Sequence, residues 1–172
     1  MARYCDTKST TTMPKFGFKA NFTKQQVHST FAEYSLRIHR AMVTMLQYIG
    51  EECVAIAREQ GTYKDRTGNL RNSIGYVLMR NGDIISQNFE ARVASKVVDA
   101  ANGKGVLEGQ ALAAELAKQV TRGYALIVVA GMHYAYYVET RGYDVLDSAE
   151  RNAQQRVPIL VKQLQKQIYK MS

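Results

Sequence analysis

The acid–base pair this sequence suggests is His133 and Glu139, and it makes a poor catalytic unit. General acid–base work needs a nucleophile or a second carboxylate in the same constellation, and the run His133-Tyr134-Ala135-Tyr136-Tyr137-Val138-Glu139 supplies neither. Gly103-Lys104-Gly105 invites comparison with a phosphate loop, but the Gly-x4-Gly-Lys-Ser/Thr frame is absent, so nucleotide binding is not expected. Cys5 stands in a polar stretch and Cys53 on the apolar face of a helical pattern, and neither has a Cys or His neighbour at metal-ligand spacing. His28 and His39 have no paired carboxylate or second His at such spacing either, and read as surface or core histidines. No catalytic, cofactor-binding or metal-binding residue is expected, and the chain reads as a non-enzyme.

What remains is the chemistry of contact. Tyr134, Tyr136, Tyr137 and Tyr143 cluster within ten positions. Tyrosine offers a broad ring with a polar tip, which suits a subunit interface and equally suits a helix packed on a sheet. Phe16, Phe18 and Phe22 sit among Lys15, Lys19 and Lys24, with Phe16 and Phe18 on one side of an extended chain. Such a segment can dock on its own body, on a neighbouring subunit, or against single-stranded nucleic acid. Leu112 and Leu116 line one side of an amphipathic stretch, and Arg71 is either a surface charge or an interface residue.

The elements that must position these residues follow from periodicity. Residues 1–24 show no period and are expected to be an extended N-terminal arm; residues 25–172 are expected to form a single α+β domain. A long helix is expected from Thr23 or Ser29 to Glu59 or Gln60, stopping at Gly61, because Phe31, Ile38, Met42, Met45, Ile49, Cys53 and Ile56 recur at three- and four-residue steps. Asn81-Gly82-Asp83 between two β runs is a hairpin signal, since Asn and Gly both tolerate positive φ. Leu107 to Val120 reads as an amphipathic helix, with contact with a neighbour as its expected use. The run from Gly123 to Ala130 is apolar on both faces and is expected to be the central strand of a small antiparallel sheet. A C-terminal helix carries Leu146, Ala149, Ala153, Val157, Leu160, Leu164 and Ile168, and Pro158 is expected to kink or split it.

Two pieces of this chain carry a family resemblance. Thr67, Gly68, Leu70, Arg71, Ser73 and Ile74 match a T-G-x-L-[RK]-x-S-I segment that follows a long helix, and Tyr134, Ala135, Tyr137, Val138 and Glu139 match Y-A-x-[YF]-V-E. In this order and spacing they resemble the head–tail joining, or tail-completion (neck), proteins of tailed bacteriophages. The family's glycine stands two residues after the Glu, whereas here Gly142 stands three after Glu139, a departure that affects the turn. The resemblance implies a long N-terminal helix and a C-terminal helix packed on a small, mostly antiparallel sheet, with residues 89–121 as a helical insertion between its strands. It further implies a virion structural protein that forms a homo-oligomeric ring at the head–tail joint. Its partners would be portal or connector and tail proteins, its basic ends meeting either DNA in the lumen or protein, and it would be assembled in the host bacterial cytoplasm. The nearest rival within that class is a tail terminator capping the tail tube; outside it, a basic nucleic-acid-binding module.

Composition fits these readings without choosing between them. The chain has 172 residues and a formal charge of +8. Residues 1–30 carry five Lys/Arg against one Asp and residues 151–172 carry five against none, so the ends exceed the total by one and the middle is −1. Basic ends on a neutral body point to acidic partners, protein or nucleic acid, or to solvated charge that keeps the chain in solution. No apolar run approaches the roughly 20 residues of a membrane span, and the N-terminal stretch lacks the apolar core of a signal peptide.

Overall fold

A computed structural model describes residues 21–64, 66–91 and 103–170. Phe16, Phe18, Cys5 and most of the arm lie outside the described residues. The chain divides into two compact units, one ending at Ser35 and one beginning at Leu36.

In the first unit, helix α1 (Lys24–Glu59) begins one residue after Thr23. Its start is a capping box. The Gln26 N–H donates to Thr23 Oγ1 at 3.2 Å, and the Thr23 N–H donates to Gln26 Oε1 at 2.8 Å, so two of the orphan donors of a helix start are satisfied reciprocally. Every position from 21 to 33 is exposed, among them Phe22 and Phe31, at 65% and 71%.

The second unit holds the rest of α1, a one-turn helix α2 (Asn69–Asn72), strands β1 (Ile74–Arg80) and β2 (Asp83–Asn88), helix α3 (Lys104–Ala117), strand β3 (Tyr124–Ala130), the short α4 (Ala135–Thr140) and the C-terminal α5 (Asp147–Lys170). The sheet order is β2-β1-β3, antiparallel throughout. The β1–β2 turn is the two-residue type the sequence asks for, with Asn81 at φ 53° and Gly82 at φ 93°. The register shifts between Leu78 and Met79, which leaves Ile85 without a partner residue on β1, and Ile84 and Ile85 are both exposed.

The central strand is therefore β1, and β3 is an edge of this sheet, contrary to the reading of Gly123 to Ala130. Its apolar character on both faces has another cause. Leu126, Val128 and Ala130 pack with Ile49, Cys53, Ile74, Leu78 and Ala149 against α1 and α5, while Ile127 and Val129 pack with Val77, Met79, Ala113 and Ala117 under α3. Burial on both faces makes a strand continuously apolar whether or not a neighbour pairs with each edge. Ile49, Ile74 and Leu78 are sealed from solvent, each worth about 1.5–3 kcal/mol of burial.

Helix α3 thus serves the chain's own core, closing the second face of the sheet. It does so with small residues. Gly105, Gly109, Ala113 and Ala117 recur every four residues and are buried, while Leu112 and Leu116 flank that face, half-buried against the same cluster. The approach is close enough that a Cβ on Gly131 would lie 2.3 Å from the Gly109 nitrogen, and one on Gly105 would lie 2.3 Å from the Asn69 carbonyl oxygen. Helix α5 runs through Pro158 as one element rather than two. Arg156 ties α5 to α1, its Nε 3.4 Å from Glu52 Oε2 and its NH2 donating to Tyr48 Oη at 3.2 Å.

Candidate functional site

The two resembling stretches meet. Gly68, at φ 76°, takes the left-handed conformation that a side chain would penalise, and it turns the chain into α2. Ser73, fully buried, then joins both pieces. Its Oγ–H donates to the Leu70 carbonyl at 2.8 Å, its Oγ accepts from the Met132 N–H at 3.3 Å, and its carbonyl accepts from the Gly131 N–H at 3.2 Å. Around that junction Tyr63, Leu70, Met132, Ala135 and Val145 form one buried cluster, with Tyr134, Val138 and Leu146 packed on it.

Glu139 serves the backbone, its Oε1 accepting from the Leu146 N–H at 3.1 Å and holding the chain where α5 begins. The His133 ring instead packs edge-on to Tyr134, with centroids 5.3 Å apart, and no hydrogen bond or ion pair joins it to Glu139. No group of three His, Cys, Asp or Glu among the described residues could hold a metal. Burial, and secondarily Glu52, pushes the Cys53 thiol above its ordinary pKa, which suits a packed side chain rather than a nucleophile.

Two adjoining clefts open over Tyr63. The first, about 370 Å³, has Leu70, Met132 and Val138 in its wall and Lys64, Arg66, Lys104 and His133 about it. The second, about 570 Å³, shares Lys64, Arg66 and Tyr134 and adds Tyr137, Arg141 and Tyr143. No carboxylate lines either one among the described residues. Arg71 lies over the Tyr63 ring, 5.6 Å from its centroid, a cation–π contact, and lines neither cleft itself. At the first cleft α3 begins: Gly103 is left-handed at φ 68°, no side chain caps the helix, and its first turn holds no acidic residue. Asn69, 6% exposed, lines the same cleft, and its Oδ1 is sealed from solvent without a hydrogen-bond partner.

The sequence-predicted contact residues thus divide. Tyr134, Tyr137 and Tyr143 come together at the second cleft, and Tyr136 stands beside Tyr137, their ring centroids 6.1 Å apart. Leu112 and Leu116 are on the far side of the sheet from α1 and α5. Phe22 is exposed on the first unit. Sequence reading missed Tyr63, Lys64, Arg66, Asn69, Lys104 and Arg141, which stand in separate, individually ordinary segments and carry no shared motif.

A second polar cluster ties α1 to the sheet. His39 Nδ1 lies 2.6 Å from Tyr124 Oη and 3.3 Å from Arg80 NH1, and the Arg80 guanidinium covers the Tyr124 ring at 5.6 Å. Tyr76 donates to Glu51 Oε1 at 3.0 Å, and the same carboxylate accepts from Asn88 Nδ2 at 2.7 Å. Burial first, and the Glu51 contact second, raise the Tyr76 hydroxyl to about 12. Both clusters are braces. No family model, curated protein or solved structure matches this chain.

Proposed function

We propose that this chain is a virion structural protein of a tailed phage that forms a ring at the head–tail joint, acting in neck assembly or tail completion through subunit–subunit contacts and not through catalysis. The observation that carries the reading is the bare apolar surface at the start of α1. A capped helix presents Val27 and Phe31 to water, with Phe22 exposed just before its start, and apolar side chains gain free energy when a neighbour covers them. The exposed β2 edge with Ile84 and Ile85 offers a second place for a sister copy to add. Repeated around a rotation axis, such head-to-tail contacts close into a ring and stop growth. The meeting of the two family-like stretches at Ser73 supports the same assignment.

The test is the mass of the purified chain by native mass spectrometry, with images of the particles. A closed ring of fixed copy number is expected, and Phe31→Glu with Val27→Glu should reduce it to monomers that remain folded. A chain that stays monomeric at every concentration, with its circular dichroism unchanged by the two substitutions, would sink the assignment.

A further inference from the structure

We propose that the paired clefts over Tyr63 bind single-stranded nucleic acid, with the phosphodiester backbone held by Lys64, Arg66, Lys104 and Arg141 and unpaired bases stacked on Tyr137 and Tyr143. This does not depend on ring formation. The middle of the chain is net −1, yet four of its thirteen Lys/Arg line the two clefts together with His133; no carboxylate lines them among the described residues, and Asp65 stands between Lys64 and Arg66 in the sequence. Lys104 in the first cleft is also the first residue of the 14-residue α3, whose uncapped N-terminal end carries positive potential.

The tyrosines decide which polyanion fits. Tyr136 and Tyr137 are exposed at 71% and 65%, and Tyr143 lines the second cleft together with Arg141. The face of an aromatic ring carries negative potential, so a carboxylate-rich peptide would use the cations and gain nothing from the rings. A nucleic-acid strand uses both, with phosphates on the cations and base faces on the rings. Bases inside a duplex are already stacked on each other, so an unpaired strand is the form that can reach these rings. The first cleft, with Leu70, Met132 and Val138 in its wall, supplies the apolar surface against which a base would lie.

The experiment is fluorescence anisotropy of the full chain with a labelled oligothymidylate and with a duplex of equal length, over a salt series. Lys64→Ala with Arg66→Ala should weaken single-strand binding about tenfold or more and lower the salt slope by about 1.4, since each phosphate contact on a single strand contributes about 0.7. Tyr137→Ala should cost roughly tenfold, and Tyr137→Phe, which keeps the ring, should restore it. The control is Lys162→Ala with Lys166→Ala on α5, which removes the same charge from exposed positions elsewhere and should weaken binding far less. Equal losses in the cleft and control variants, tighter binding of the duplex, or equal competition by polyglutamate would each overturn the proposal. All substituted side chains are exposed, and unchanged thermal unfolding of the variants ties the losses to the surface.

Discussion

Ser73 shows how much one hydroxyl can fix. It bonds both to the turn that follows Gly68 and to the corner that follows Gly131, so two stretches nearly sixty residues apart share one side chain. Ser73→Ala leaves the buried Met132 N–H without its acceptor and should cost about 1–3 kcal/mol in urea unfolding. Gly131 acts by what it lacks. Its neighbour Gly109 is backbone and cannot yield, so Gly131→Ala should cost at least about 2 kcal/mol by the same measurement, with α3 pushed off the sheet. Tyr76 gives a pH signature. Its hydroxyl is raised from about 10 to about 12, so the folded state favours the neutral form. The contribution is fully present below pH 10 and is lost as pH rises from 10 to about 12. In alkaline unfolding curves, Tyr76→Phe should remove that part of the decline while leaving the other tyrosines' share; an unchanged slope would show that Tyr76 titrates normally.

Among the elements, α3 departs most from its sequence reading. An amphipathic pattern led by Leu112, Leu116 and Val120 points to a helix that offers large side chains to a partner. The structure seats the helix on its small face, because Gly105, Gly109, Ala113 and Ala117 allow its backbone within reach of α2 and β1. The signal lies in a four-residue repeat of small residues, but periodicity weighted by hydrophobicity ranks leucine above glycine. Ala113→Leu would force that face outward and should destabilise by about 1–3 kcal/mol. Deleting residues 103–121 and joining the ends should expose Val77, Met79 and Val129 and yield an aggregating chain, seen by light scattering. A soluble, folded product that merely fails to assemble would instead mark α3 as a contact element.

At the scale of the whole molecule, the assembly reading has a thermodynamic consequence. A chain whose apolar α1 surface is covered by sister copies is stabilised by mass action, so its unfolding temperature should rise with protein concentration. Phe31→Glu should abolish that dependence without lowering the temperature reached at high dilution, as differential scanning calorimetry over a dilution series would reveal.

Local features were legible from the residues alone because their causes are local. Asn81-Gly82 dictates its turn through positive φ, Gly68 does the same for the turn after α1, and the apolar stripe through Ile49 and Cys53 dictates a helix with one buried face. What only the tertiary structure decided is what no window of sequence contains: that β1 and not β3 is central, that α3 covers the second face, and that Lys64, Arg66, Lys104 and Arg141 surround one tyrosine. A strand buried on both faces reads the same at the edge of a sheet as in its middle. Charges scattered over nearly eighty positions become a surface only when the fold brings their backbones together.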